Sequence, residues 1–182
     1  MEQRYFIAIV PPQNSCKEIT TIKQDFALNY NSNAALRSPP HITLHMPFLW
    51  KEKKEDKLIQ QLEAFQFKKE SIEISLINFS CFGKRVIFID VVKNELLHLL
   101  QKKIVHHAKQ QLQLFNQDED LRGFHPHVTV AFRDLKKEQF IKAWEIYKTK
   151  QYKSQFTCTS FSLLKQENKE WHVYKTFSLH AC

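Results

Sequence analysis

The sequence predicts an α+β fold with two similar lobes, each built as strand, helix, strand, helix and strand, whose mainly antiparallel sheets surround a central cleft. Three observations support this prediction. Segments with strand alternation and segments with helical period follow one another along the chain. The same order of strand and helix segments occurs twice along the chain. A His-x-Thr motif begins at His41 and again at His127, at equivalent places in the two copies.

The first copy opens with residues 5–10, a short and mostly apolar run that two prolines end, which predicts a buried strand. Ser15 and Glu18 match a capping box, so a helix should begin there. Residues 41–45 alternate strictly between polar and apolar and predict the second strand. A lysine-rich run over 51–57 follows, and apolar residues at helical spacing over 58–65 then predict an amphipathic second helix.

The second copy follows a hairpin predicted between residues 72–76 and 85–92, with its turn around Gly83. Its further elements are a helix capped by Asn94, a strand at 127–130, a helix capped by Asp134, and closing strands near 156–164 and 171–179. We therefore expect one domain over 1–182, with lobe-forming repeats at about 4–80 and 85–164 and a final strand at about 171–179.

Composition narrows the classes of function. The chain of 182 residues has only two glycines, Gly83 and Gly123, which excludes glycine-rich phosphate loops, so side chains must hold any phosphate. A formal net charge of +8 favours an anionic partner such as RNA. The four cysteines lack C-x-x-C spacing, and no apolar run is long enough for a signal peptide or a membrane span. We expect a cytoplasmic protein that does not bind membranes.

The two His-x-Thr motifs carry the predicted chemistry. In a strand, residues i and i+2 share a face, so His41 stands beside Thr43 and His127 stands beside Thr129. One imidazole can accept a proton while a protonated one donates, and threonine hydroxyls can bind phosphoryl oxygens. These four residues are therefore the predicted catalytic residues of a phosphodiester site that needs neither a metal nor another cofactor.

A metal site is the alternative chemistry, because His41, His45, His125 and His127 would cluster if the lobes met there. Against it, neither motif contains Asp or Glu, and no H-E-x-x-H spacing occurs. His45 shares the strand parity of His41 and Thr43, which makes it a candidate substrate-binding residue, with a partly buried strand histidine as the alternative interpretation.

On these residues the sequence resembles the two-histidine phosphoesterase superfamily, which includes 2′-5′ RNA ligase-like proteins and RNA cyclic phosphodiesterases. The resemblance rests on the opening strand, on residues 40–44 with Phe48 after them, on residues 126–130, and on the closing strand. It implies a phosphoesterase that acts on 2′,3′-cyclic phosphate RNA ends or related nucleotides, with 2′-5′ RNA ligase activity as a family property. We expect the protein to be a monomer. The alternative is a non-catalytic RNA- or nucleotide-binding module. We expect His127 as the base and His41 as the acid, or the reverse, because the motifs are nearly symmetric.

Further substrate contacts are expected beside the motifs. Arg37 and Arg122 precede the two histidines by four and five residues and are candidate phosphate contacts. Phe48 is a candidate for binding the substrate by stacking on a base. Many RNA-directed members of the superfamily carry an arginine five residues beyond the second histidine, where this sequence has Phe132 and then Arg133. On a continuing strand that shift turns Arg133 to the other face, which argues against an arginine clamp.

Overall fold

Two four-stranded antiparallel sheets form the framework of the protein in the computed structural model, which describes residues 1–115 and 123–180. The elements in chain order are β1 (Glu2–Ile9), α1 (Gln13–Tyr30), β2 (Ile42–Lys51), α2 (Glu55–Glu63), β3 (Ile72–Phe82), β4 (Val86–Val91), α3 (Glu95–Leu112), β5 (His127–Ala131), α4 (Lys137–Tyr147), β6 (Lys153–Cys158), β7 (Ser160–Glu167) and β8 (Glu170–Ser178). Short 3-10 helices at Ala34–Arg37 and Glu52–Lys54 flank β2. The architecture confirms the predicted α+β fold with antiparallel sheets.

Strands from both halves of the chain contribute to each sheet. The first sheet has the order β2-β1-β7-β8 and the second has the order β5-β4-β3-β6. The predicted hairpin is present as β3 and β4, joined by a turn in which Gly83 has a positive φ of 56°. β3 thus leaves the first repeat for the second sheet, while β7 returns to pair with β1. Neither half of the chain completes a sheet alone.

The apolar sides of the two sheets and of the helices form one core. Alternate residues of β3 are buried, and α1 buries Phe26 against Tyr147 of α4, with ring centroids 4.4 Å apart. Each such fully buried side chain contributes on the order of 2 kcal/mol through removal from water. No helix in the described part of the chain is long and apolar enough to span a lipid bilayer.

Two of the three helix caps differ from the sequence prediction. Asn94 caps α3 as expected, since its Oδ1 accepts the backbone N–H of Leu97 at 3.0 Å. The capping box is wrong, because α1 begins at Gln13 behind an extended Pro12, and Ser15 lies buried within its first turn. The carbonyl of Pro12 accepts the first backbone hydrogen bond of the helix at 2.9 Å, and no side chain caps this end.

Asp134 caps a different helix from the predicted one. α4 begins at Lys137 with no side-chain cap, and the Asp134 carboxylate instead accepts the hydroxyl of Ser32 at 2.9 Å and the backbone N–H groups of Asn33 and Ala34 at 2.8 and 2.9 Å. It therefore caps the 3-10 helix that precedes β2, about a hundred residues away in sequence. Long-range pairing of this kind leaves no local signal in the sequence.

β-bulges interrupt the strands that carry the two motifs. Ala8 of β1 lies opposite Thr43, but Ile7 lies opposite His45, so β2 has one extra residue between them. In the second sheet, Phe88 lies opposite Thr129 while the next pair joins Ile87 to Ala131, which gives the same extra residue. Such a bulge reverses the alternation of faces beyond it. Residues 41–45 and 127–131 consequently share one burial pattern, in which the first and third residues are half-buried and the other three are fully buried.

Candidate functional site

The two His-x-Thr motifs face one cleft of about 470 Å³. His41 and Thr43 line it from the start of β2, and His127 and Thr129 line it from β5. Their apolar neighbours, Ile42 and Val128 among them, are fully buried in the core and hold the strands in place. The structure therefore brings together all four residues that the sequence predicts as catalytic, while their catalytic role stays a prediction.

The two imidazoles are oriented in the same way. Nδ1–H of His41 donates to the carbonyl of Pro39 at 2.7 Å, and Nδ1–H of His127 donates to the carbonyl of His125 at 2.7 Å. Because a carbonyl can only accept, each bond fixes the proton of the neutral ring on Nδ1. Nε2 is then the basic nitrogen of both rings, which suits each of them to exchange a proton with a bound substrate.

Burial makes His41 a weak base. Removal of its ring from water lowers the pKa of His41 to about 4, and the positive charges of Lys23 and His127 act in the same direction. The hydrogen bond to Pro39 opposes this shift only in part. His41 is therefore neutral at pH 7, which is the form of the ring that can accept a proton.

His127 is also held neutral, but its surroundings differ. Burial lowers the pKa of His127, and a charge on His125 would lower it further. The hydrogen bond to the His125 carbonyl and the carboxylate of Asp90 act in the opposite direction. Phe82 and Phe88 pack against the imidazole ring of His127, with centroid distances of 5.0 and 4.8 Å.

Four cationic side chains line the same cleft: Arg4, Arg37, Arg133 and Lys169. No Asp or Glu lines the cleft within residues 1–115 and 123–180. A lining of one charge sign attracts an anion, and guanidinium groups bind phosphate with two parallel hydrogen bonds. Of the sequence candidates, Arg37 is thus placed at the cleft, whereas Arg122 lies outside the described residues.

The expectation that Arg133 faces away from the cleft is wrong. β5 ends at Ala131, and the backbone N–H of Asp134 donates to the carbonyl of Phe132 at 2.7 Å in a tight turn. Arg133 has a φ of 59° there, so strand alternation no longer sets its direction. Its guanidinium lies 5.0 Å from the ring centroid of Phe132, and both side chains line the cleft.

His45 and Phe48 do not line the cleft. His45 is only 1% exposed, and its Nδ1–H donates to the carbonyl of Met46 at 2.9 Å. Phe48 packs on His45 and Tyr5, with ring centroids 5.4 and 6.1 Å away. The bulges in β2 explain the error, because they turn Met46 and Pro47 to the cleft in their place.

An aromatic wall closes one side of the cleft. Phe6 and Trp171 meet edge to face at 4.7 Å, and Phe6 also contacts the ring of His41 at 4.7 Å. The Arg4 guanidinium lies 5.9 Å from the centroid of Trp171. Period-two spacing was the available signal, since Arg4 and Phe6 share a strand face with Ala8, which lies opposite Thr43.

The four-histidine cluster considered as a metal site does not form. His45 lies in the core behind β2, and His125 points its Nε2 to Asp90 at 3.2 Å. In the part of the chain that the structure describes, no group of three His, Cys, Asp or Glu side chains is placed to hold a metal ion. Cys16, Cys81 and Cys158 are free thiols on three different elements, α1, β3 and β6.

Comparison with known proteins gives consistent matches over nearly the whole chain. A model of the 2′-5′ RNA ligase superfamily matches residues 11–170. A protein of Geobacillus kaustophilus that is provisionally named a phosphoesterase is 31% identical over 177 residues, 96% of this chain and 95% of the relative. A similarly named protein of Bacillus licheniformis is 27% identical over 181 residues, 98% of this chain and 99% of the relative.

Solved structures share the fold at low sequence identity. Escherichia coli LigT complexed with 3′-AMP matches with a TM-score of 0.72 and 19% identity, over 100% of both chains. The protein TT0787 of Thermus thermophilus matches with a TM-score of 0.64 and 14% identity, over 98% of both chains. These likenesses show that the three proteins share one fold.

Proposed function

The chain belongs to the 2′-5′ RNA ligase superfamily, and we propose that it is a metal-independent phosphodiesterase that opens 2′,3′-cyclic phosphates at RNA ends or in related nucleotides. Membership and the phosphoesterase relatives support phosphoesterase activity. The observation that carries the proposal is the pair of equally oriented histidines, each beside a threonine, at one cleft with cationic side chains.

The proposed reaction needs only protein groups and water. Nε2 of one histidine takes a proton from water as the water oxygen forms a bond to phosphorus. The bond from phosphorus to one ribose oxygen breaks, and the other histidine, protonated beforehand, gives its proton to that oxygen. A phosphomonoester and a free ribose hydroxyl result. General acid and base catalysis of this kind accelerates reactions by about 10² to 10⁴ for each group.

The threonines and arginines complete the site around the phosphoryl group. A phosphodiester has two non-bridging oxygens, and in the proposed complex the hydroxyls of Thr43 and Thr129, which both line the cleft, donate one hydrogen bond to each. Arg37 and Arg133 add positive charge where the transition state gathers negative charge. A bound anion also raises the pKa of both histidines, which allows one of them to carry the proton that the reaction needs.

A nucleotide substrate agrees with the aromatic wall. Trp171, backed by the buried Phe6, offers a ring surface beside the phosphate-binding residues, and aromatic side chains commonly stack on unpaired bases. E. coli LigT, whose fold this chain shares, has been solved in complex with 3′-AMP and with ATP. With an RNA 5′-hydroxyl in place of water, the same acid and base would form a 2′-5′ linkage, which is the ligase reaction of the superfamily.

The proposal is tested with nucleoside 2′,3′-cyclic phosphates in the presence of a chelator. We expect the intact protein to form one phosphomonoester, and His41→Ala and His127→Ala each to lose about 10² to 10⁴ in kcat. His106→Ala, on the exposed side of α3, is the matched control and should keep full activity. Activity that disappears with chelation would contradict the metal-independent mechanism.

The non-catalytic binding module is the outcome that would replace this proposal. It predicts no turnover of cyclic phosphates or of 2′-5′-linked dinucleotides, together with binding of the same compounds that weakens steeply as salt concentration rises. Turnover with a bell-shaped pH dependence excludes it, because simple phosphate binding does not require one neutral and one protonated imidazole.

A further inference from the structure

A second groove, of about 490 Å³, lies beside the central cleft, around the turn that joins β3 and β4. We propose that this groove binds the nucleotide that precedes the reacting end of a single-stranded RNA, with its base on Phe82 and the phosphates of the chain on cationic side chains. The inference rests on the proposed function and deepens it, because that function leaves RNA ends and single nucleotides open as substrates.

The groove has a lining of one charge sign. Four cationic side chains line it, and we call it the cationic groove after them: Lys84, Arg85, Arg133 and Lys137. All four are exposed, and among the residues that the structure describes no Asp or Glu belongs to the lining. Such a surface attracts a chain of phosphates, because each phosphate that meets a cation releases the ions bound to it. The groove therefore suits a polyanion.

The acidic side chains that flank the cationic groove have other partners or point elsewhere. The carboxylate of Asp134 accepts three hydrogen bonds from the 3-10 helix before β2 and the residues leading into it. Oδ1 of Asp90 lies 3.2 Å from Nε2 of His125 and also accepts the backbone N–H of Val91 at 2.9 Å. Glu138 is exposed on the first turn of α4 and does not line the groove. Within residues 1–115 and 123–180, no ion pair neutralises a cation of the groove.

The cationic groove is continuous with the central cleft. Arg133 lines both of them, whereas Lys84, Arg85 and Lys137 line the groove alone. A chain whose end lies between the two histidines can thus pass along one guanidinium from the cleft into the groove. A cyclic mononucleotide fills the cleft and does not extend to the other three cations. The groove consequently adds contacts only for a longer substrate.

Phe82 supplies the groove with an aromatic surface. Its side chain is 41% exposed, although large apolar side chains are usually buried. The ring lies on that of the buried Phe88, with centroids 4.3 Å apart and an angle of 34° between the planes. An exposed aromatic ring among cationic side chains is the combination with which proteins bind single-stranded nucleic acid, by stacking on a base and attracting the backbone.

The same arrangement of rings occurs in the first half of the cleft. There the half-buried Trp171 lies 4.7 Å from the buried Phe6, which in turn lies 4.7 Å from His41. In the second half, Phe88 lies 4.8 Å from His127 and separates it from the outer ring of Phe82 in the same order. If the first outer ring holds the terminal base of the substrate, the second offers an equivalent surface for another base.

The connectivity of RNA agrees with two base sites on different sides of the phosphate. The base leaves the ribose at C1′, whereas the preceding part of the chain leaves at C4′ through the 5′ oxygen. With the terminal base against Trp171 in the first sheet, the chain leaves the cleft in another direction. Arg133, which follows β5 in the second sheet, lines such a path and leads to Phe82.

Binding of product-like strands to the full chain tests the inference without turnover, because a 3′-phosphate is already a phosphomonoester. We expect tetraadenylate with a 3′-phosphate to bind about tenfold or more tightly than adenosine 3′-phosphate. Phe82→Leu keeps an apolar side chain on Phe88 but removes the aromatic face, so it should weaken tetramer binding by about 5- to 100-fold. Phe82→Trp should restore it. Phe115→Leu, in an exposed phenylalanine outside the groove, is the control and should change nothing.

A tetramer without a base at the penultimate position separates stacking from a general disturbance of the site. Phe82→Leu should weaken binding of this abasic strand much less than binding of the complete strand, because the base that would stack is missing. An equal loss for both strands would overturn the assignment of Phe82 as a base-binding residue.

Salt dependence tests the phosphate contacts. Lys84→Ala should reduce the slope of log Kd against log salt concentration for the tetramer by about 1, the effect of losing one phosphate contact. Lys69→Ala removes the same charge from an exposed position outside both the cleft and the groove, and it should keep the slope. Equal slopes in the two variants would show attraction by net charge alone and would overturn the inference.

The proposed function and this inference fail in different ways. A protein that does not open cyclic phosphates, but whose affinity for the tetramer depends on Phe82 and Lys84, would reject the proposed catalysis and keep the RNA-binding groove. A protein that opens cyclic phosphates and binds the tetramer no more tightly than adenosine 3′-phosphate would keep the proposed function and reject the inference.

Discussion

His41 and His127 are held by the same hydrogen bond, in which each ring donates Nδ1–H to the carbonyl two residues earlier in the chain at 2.7 Å. A proline stands between ring and carbonyl in both cases, Pro40 and Pro126. Because proline restricts φ, it limits how far that carbonyl can move relative to the ring. Local backbone chemistry thus fixes both tautomers, and neither ring has a carboxylate hydrogen-bond partner within residues 1–115 and 123–180.

The threonines should matter less than the histidines. Thr43→Val and Thr129→Val each remove a hydroxyl from the cleft and keep a β-branched side chain, so the strands should be undisturbed. We expect each change to lower kcat/KM by about 10- to 100-fold, the effect of losing one hydrogen bond to a charged oxygen. The conservative Thr43→Ser should recover most of the loss. An equal loss of kcat/KM in the serine and valine variants would show that the threonine hydroxyl does not bind a phosphoryl oxygen.

Arg133 should bind the substrate phosphate. Arg133→Ala is expected to raise KM for a cyclic phosphate by roughly 5- to 30-fold, with a smaller change in kcat, and to reduce the dependence of KM on salt concentration. Arg85→Ala is the control, because Arg85 is an exposed arginine outside the cleft. Equal KM values for the two variants would show that Arg133 does not contact the substrate.

His45 should be dispensable for activity. Its Nε2 is buried and has no hydrogen-bond partner among the described groups, so an apolar side chain of similar size removes an unsatisfied polar atom. We expect His45→Leu to keep kcat/KM and to unfold at the same or a higher urea concentration. His45→Ala should instead lose about 1 to 3 kcal/mol of unfolding free energy by leaving a cavity. A KM increase in the folded leucine variant would restore His45 as a substrate-binding residue.

The burial of His41 should make stability fall in mild acid. The pKa of His41 is lowered to about 4 in the folded state, against about 6.5 when unfolded. The unfolded chain therefore binds more protons between these pH values, and the contribution to stability is present above pH 6.5 and lost as pH falls toward 4. Urea unfolding at pH 7 and at pH 4.5 measures how much unfolding free energy is lost in acid. This loss should be smaller in His41→Asn than in the intact chain, by on the order of 2 kcal/mol. Equal losses would contradict a buried neutral His41.

Much of the fold and the centre of the site follow from periodicity. Strict alternation in residues 41–45 and 127–130 places each histidine beside its threonine, and both motifs do line one cleft. Position in a strand is a local property, so a single sequence carries it. The pairing of β3 with β4 was equally local, because a short turn at Gly83 joins the two strands.

Features that depend on neighbouring strands or on distant contacts could not be predicted from the sequence. The bulge after Thr43 is set by how β2 meets β1, and it sends His45 into the core against its parity. The early end of β5 frees Arg133 from strand alternation and turns it to the cleft. Asp134 caps the segment at Ser32–Ala34 across the fold, although it stands where a cap for α4 was expected.

The most direct measurement is phosphorus NMR of a nucleoside 2′,3′-cyclic phosphate incubated with the intact protein, a chelator and water enriched in oxygen-18. We expect a single phosphomonoester that carries one oxygen-18 atom, formed by the intact chain and by neither His41→Ala nor His127→Ala. An unchanged cyclic phosphate with the intact protein, or the same product from a folded variant that lacks either histidine, would contradict it.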